Sequence, residues 1–95
     1  MRLGLFHLGR LLITPGAIET FSHDELRDAL VRHANGDWGD LCAEDKYLND
    51  TALARGGRLF SAYKFPPRSG EKEERKLWII TYPGEYTTIL LPEEY

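Results

Sequence analysis

Lys76-Leu-Trp-Ile-Ile-Thr-Tyr82, then Pro83-Gly84, then Glu85-Tyr-Thr-Thr-Ile-Leu-Leu91 is the stretch that decides the fold. Both flanks are dense in β-branched and aromatic residues, the composition of strands. Pro83-Gly84 fits positions i+1 and i+2 of a type II turn, with glycine taking the positive φ. That turn follows sheet twist less well than the primed hairpin turns, so a bulge is expected beside it. Alternation places Leu77, Ile79 and Thr81 on one face and Trp78, Ile80 and Tyr82 on the other. A sheet apolar on both sides must be covered on both sides or expose a patch, and the aromatic remainder is a candidate interface.

Working outward, Arg58-Leu-Phe-Ser-Ala-Tyr-Lys-Phe65 reads as a further strand, bounded by Gly57 and Pro66-Pro67. Residues 66–75 hold no apolar side chain except the prolines, which predicts an exposed, mobile loop. Ser22-His-Asp-Glu25 is a capping box with Phe21 and Leu26 at the staple positions. Leu26, Ala29, Leu30, His33 and Ala34 share the buried face of a helix over 22–35 that Gly36 ends. A second helix runs from Asp40 or Leu41 to Arg55, with carboxylates in its first turns and a weak stretch at Asn49 to Thr51. His7 to Thr14 reads as a short strand around Leu11-Leu-Ile13, and Thr14-Pro15 fits the start of a weak helical turn ending at Thr20. The expectation is an α+β domain: two short helices packed on a three- to four-stranded antiparallel sheet, in the order β-α-α-β-β-β.

Ninety-five residues suit a single domain, 1–95, and leave no room for a deep multilayer active site. Cys42 is the only cysteine, so neither an intrachain disulfide nor a thiolate zinc cluster forms from one chain. It reads as a small, partly buried hydrophobe near a helix start, with a reactive thiol as the alternative. A secreted chain of this size usually carries paired cysteines, and the stretch Met1 to Arg10 lacks the features of a signal peptide, so a cytoplasmic setting without membrane association is expected.

The net charge of −3 conceals blocks. Residues 37–54 carry one basic and five acidic groups, and 55–76 carry seven basic and three acidic. Neither sign dominates, against both a general nucleic-acid binder and a strongly acidic DNA mimic.

His33, Asp37, Asp40, Glu44 and Asp45 offer oxygen and imidazole ligands, but their spacing matches no defined metal loop and the helix dipole already accounts for the acids. No metal or cofactor is expected. Ser22 is taken up by capping, Ser61 lies inside a strand, Ser69 is in the loop, and the three histidines are all N-terminal, so no serine or cysteine paired with a histidine base is expected. No phosphate-binding glycine loop or nucleophile elbow is present, and the chain reads as non-enzymatic. Gly36-Asp-Trp-Gly39 puts a tryptophan at an interhelix corner, as core filler or as an exposed anchor. Arg58, Lys64, Arg68, Lys72, Arg75 and Lys76 flank Phe60, Tyr63, Phe65 and Trp78, the pairing of cations with stacking rings that single-strand binders use. The competing reading is a solvated rim, given Glu71, Glu73 and Glu74 among them.

Thr14-Pro-Gly-Ala17, Arg32-His33, Gly36-Asp-Trp-Gly-Asp-Leu41, Glu44-Asp45, Ser61-Ala-Tyr63, Leu77-Trp-Ile-Ile-Thr81 and Thr87-Thr-Ile-Leu-Leu-Pro-Glu-Glu-Tyr95 together resemble a family of short plasmid-related proteins of plasmids, integrated elements and phages. Members are often labelled type I restriction endonuclease subunit M. A methyltransferase needs a doubly wound sheet with a glycine-rich cofactor loop, and this chain is too short to hold one. The resemblance implies a mobile-element setting and no mechanism. The reading that follows is a non-catalytic protein that occupies a partner's surface, an inhibitor of a host defence complex (anti-CRISPR or anti-restriction), through Asp37, Trp38, Asp40, Glu44 and Asp45, with a possible homodimer through the sheet. The alternative is a small single-strand or RNA binder using the basic residues named above.

Overall fold

The computed structural model describes residues 4–95, and the start of the stretch read as lacking signal-peptide features, residues 1–3, lies outside the described residues. The chain runs β1 (Arg10–Ile13), α1 (Pro15–Thr20), α2 (His23–Ala34), α3 (Ala43–Arg55), β2 (Leu59–Phe65), β3 (Arg75–Tyr82), β4 (Tyr86–Leu90) and a C-terminal 3-10 turn (Pro92–Glu94). The α+β class with helices on a sheet therefore stands.

The hairpin forms as its residues dictate. The Glu85 amide donates to the Tyr82 carbonyl at 2.9 Å and Gly84 has φ +79°. Strand pairing closes on Tyr82↔Tyr86, so Glu85 is the extra residue that lets the turn meet the twist of the strands.

The sheet order is β1-β4-β3-β2, and β1 runs parallel to β4, so the sheet is mixed where an antiparallel one was expected. The N-terminal segment docks beside the hairpin turn. The His7 carbonyl accepts from Gly84 at 3.0 Å and the Arg10 amide donates to Glu85 at 3.0 Å. From that entry point β1 can only travel in the direction of β4. The strand begins at Arg10 rather than His7 because Gly9, at φ +67°, turns the chain just before it.

There are three helices where two were expected among the described residues. Pro15–Thr20 is a full short helix whose Thr14 cap accepts from the Ala17 amide at 3.2 Å. The Ser22 capping box of α2 is formed in both directions, at 3.0 and 3.1 Å. Asp40 and Leu41 precede α3, so only Glu44 and Asp45 lie in its first turn.

Leu59, Ser61, Leu77, Ile79, Thr81, Thr87 and Ile89 share one face of the sheet and are buried. Leu26, Ala29, Leu30 and Ala34 of α2, Ala17 of α1, and Phe6, Leu8 and Trp38 join them in one hydrophobic cluster. The opposite face is the one that the candidate site occupies.

Candidate binding surface on the sheet

The strand register assigns Arg10 and Leu12 of β1, Phe60, Ala62 and Lys64 of β2, Lys76, Trp78, Ile80 and Tyr82 of β3, and Tyr86, Thr88 and Leu90 of β4 to the second face. No carboxylate stands among these positions. Ile80 and Leu90 are buried, Phe60, Ala62, Trp78 and Thr88 are half-buried, and Leu12, Tyr82 and Tyr86 are exposed, the last three at 39, 36 and 39%. Neither Trp78 nor Tyr82 is buried, so the second face is only partly covered.

One end of this face is shaped by rings. Trp78 meets Phe60 edge-on at 5.0 Å between centroids and Tyr95 at 5.7 Å. Beside them lies a cleft of about 320 Å³ lined by Asp40, Leu41, Phe60, Lys64, Lys76 and Trp78, among others. Lys64 and Lys76 are directly opposed on adjacent strands, an arrangement of like charges that costs stability. Asp40 relieves it in part by pairing with the Lys64 ammonium at 2.7 Å, which raises the lysine pKa and lowers that of the carboxylate. The Arg58 guanidinium stands 5.6 Å from the Phe60 ring centroid, and Arg10 is exposed at the far end beside Tyr82 and Tyr86.

The basic residues read from the sequence are thus divided. Arg58, Lys64 and Lys76 belong to this face; Arg75 and Arg68 do not. Arg75 lies on the helix side, where it makes a bidentate pair with Glu25 at 2.8 and 2.9 Å and donates to the carbonyls of Thr20 and Pro66. That pairing lowers the Glu25 pKa to about 2. Arg68 donates to the Thr20 carbonyl at 3.1 Å and to the Glu19 carbonyl, so the exposed 66–74 loop is tethered to the end of α1. Lys72 is exposed on that loop, away from the strands. Arg10 was missed because a lone arginine before Leu11-Leu-Ile13 carries no signal until β1 is placed in the sheet. Its alternation with Leu12 was the available clue.

The acidic set is divided too. Trp38 is 4% exposed and fills the core against Phe6 and His33, with its indole N–H donating to Asp50 at 2.9 Å. Of the two alternatives, core filler and exposed anchor, Trp38 is the core filler, and its burial removes it from the expected partner-binding set. Asp37 takes a bidentate pair from Arg32 at 2.7 and 3.4 Å and accepts from the Gly39 amide at 3.1 Å, and the Arg32 guanidinium holds its pKa below the usual range. Glu44 and Asp45 remain exposed, without an ion pair among the described residues. Cys42, expected to be partly buried, is exposed at the N-cap of α3.

His33 points inward, away from those acids. Its Nδ1 lies 2.5 Å from the Ser61 hydroxyl and its Nε2 2.8 Å from Thr81, which in turn lies 2.8 Å from Thr87. Thr87 donates to the Leu8 carbonyl at 2.7 Å. With that proton committed, Thr87 accepts from Thr81, Thr81 accepts from Nε2–H, and Nδ1 accepts from Ser61. The tautomer follows from the chain of donors, and the network ties α2 to three strands and the N-terminal segment. Burial lowers the His33 pKa to about 3, so the ring is neutral in ordinary conditions.

The second face is open because the free edge of β2 receives its own cover. The Ala62 amide donates to Trp38 at 3.2 Å and the Ala62 carbonyl accepts from Asp40 at 2.6 Å, a parallel bridge. Gly39 permits that approach: its φ is +76° and a Cβ there would overlap the Ala62 carbonyl. Asn49 of α3 completes the edge, donating to the Phe60 carbonyl at 2.6 Å and accepting from its amide at 3.0 Å. These contacts keep α3 beside the sheet, where its Asp45, Leu48 and Asn49, with Leu41 just before the helix, border the open face.

Fold and surface together define a small α+β domain with a mixed four-stranded sheet, one face packed and the other ring-bearing and rimmed by cations. Comparison with protein-family models, curated proteins and solved structures finds no match. Among the described residues no helix is long and apolar enough to cross a membrane.

Proposed function

We propose that the chain is a non-catalytic binding module whose contact surface is the second face of the sheet. The observation that carries this reading is a row of half-buried and exposed rings, Phe60, Trp78, Tyr82 and Tyr86, with Arg10, Arg58 and Lys76 round it and no carboxylate on the strands between them. Large rings at low conformational cost beside arginines, whose guanidinium is weakly hydrated, are the groups that dominate recognition surfaces, and the lysine adds a point charge. The cytoplasm of a cell carrying a mobile element is the setting that the family resemblance supports. Inhibition of a host defence complex through mimicry of phosphates draws on fewer groups, since Asp37 is held by Arg32, Asp40 is neutralised by Lys64, and Trp38 is in the core. A photo-crosslinking residue at Tyr86 should form adducts in cells, and one at Val31, exposed on α2, should not. Equal labelling from the two positions, or none from Tyr86, overturns the reading.

A further inference from the structure

The cleft between Trp78 and the opposed lysines has a chemistry that selects among ligands. Lys64 and Lys76 face one another across β2 and β3, and among the described residues only Lys64 of the two has a carboxylate within ion-pair distance. Two ammoniums held side by side with one counter-charge attract a further anion. The adjoining lining is apolar and ring-bearing: Phe60, Trp78, Leu41 and Pro92. An anion alone leaves those rings unused, and an apolar ligand alone leaves Lys76 uncompensated. A group that joins a planar ring to a phosphate satisfies both, and the cleft, at about 320 Å³, is at the small end of pockets that hold such groups.

We propose that this cleft binds one nucleotide of a single-stranded nucleic acid, its base against Trp78 and Phe60 and its phosphate at Lys76, the ammonium that Asp40 does not pair. This rests on the reading of the second face as the contact surface. From the cleft the strand continues over the sheet toward Tyr82, Tyr86 and Arg10, where further rings and a further cation lie in the same face. A duplex is excluded as the ligand because stacked and paired bases present no ring face to a protein side chain, whereas a single strand can splay its bases onto a sheet. Ring contact is tolerant of base identity, so little sequence preference is expected.

The test is fluorescence anisotropy with labelled oligo-dT and oligo-U of about a dozen nucleotides, at about 50 mM and about 200 mM salt. Wild type should bind both oligonucleotides more weakly as salt rises. Lys76→Gln, at an exposed position, should weaken binding about tenfold and reduce the log–log salt slope by about one. Trp78→Leu should weaken binding by a similar factor and leave the salt slope unchanged, because it removes ring contact and no charge. Arg27→Gln, on α2 and outside the face, should change neither. If Trp78→Leu fails to fold, the contrast between Lys76→Gln and Arg27→Gln decides. No binding at about 100 µM protein in low salt overturns the proposal, as does equal weakening by Lys76→Gln and Arg27→Gln, the mark of unspecific charge attraction. If oligonucleotides fail while a crosslinker at Tyr86 marks a protein, the nucleic-acid ligand falls and the contact face stands. If both fail, both fall.

Discussion

Acidification should unfold this domain through His33 before any carboxylate responds. The side chain is fully buried, and burial lowers its pKa from the ordinary 6.5 to about 3. A group whose folded pKa is depressed favours the folded state above its unfolded pKa and withdraws that support as pH falls toward the folded one. The window therefore opens at about 6.5 and closes at about 3. Each pH unit inside it costs up to about 1.4 kcal/mol, and because the unfolded imidazole is only half protonated at 6.5 about 2.3 kcal/mol is lost between pH 6.5 and about pH 4.5. That is a large part of the roughly 5–10 kcal/mol expected for a domain of this size. Glu25 adds its own loss from about 4.5 downward, so the decline between 6.5 and 4.5 belongs to His33 and the two contributions overlap from 4.5 to about 3. Urea unfolding followed by circular dichroism at several pH values measures the slope, and His33→Gln supplies the control. The variant should be less stable at neutral pH by about 2–4 kcal/mol, since Ser61 and Thr81 must find new partners, and should lack most of the decline above pH 4.5. Parallel pH curves for the two proteins, or an imidazole NMR signal of folded His33 titrating near 6.5, would refute the reasoning.

Below about pH 4.5 the Glu25 and Arg75 pair should take over: support from this depressed carboxylate is present above 4.5 and lost as pH falls through about 2, and Glu25→Gln should remove about 1–2 kcal/mol of it, the partial exposure of the pair having been discounted, as read in acid titrations of stability. Asn49→Ala should cost about 2–4 kcal/mol in urea unfolding, because the Phe60 amide and carbonyl lose their partners together, and Phe60 should lose hydrogen-exchange protection. Gly39→Ala should destabilise more than Gly56→Ala by thermal unfolding. Both need a left-handed residue, worth about 1–2 kcal/mol to an L side chain, but only at Gly39 does the added Cβ meet backbone.

The elements were legible wherever a local cause sufficed. The hairpin at Pro83-Gly84 needs only strand-forming flanks and a glycine at positive φ, and α2 needs only its capping box, its staple and its apolar period. The weak helix over Pro15–Thr20 was visible through Thr14-Pro15, while its full length depended on Ala17 being buried. The start of α3 was placed too early because acids that precede a helix look like acids in its first turn. The direction of β1 was not legible at all. Leu11-Leu-Ile13 is equally apolar whether it runs with β4 or against it, and the choice lies in contacts from His7 to Gly84 and from Arg10 to Glu85, across more than seventy residues of chain.

The sequence by itself determined which stretches form strands and helices, and that the sheet is apolar on both sides, since alternation and capping act between near neighbours. Only the tertiary structure decided which charges are spent and which are free. Arg75 and Lys76 are adjacent in the chain, yet alternation sends them to opposite faces, one onto Glu25 and the other to the open cleft. Asp37, Trp38 and Asp40 read as one surface motif until Arg32, the core and Lys64 each take one of them. Whether a charge remains available to a partner depends on what folds beside it, and that neighbour is most often far away in the chain.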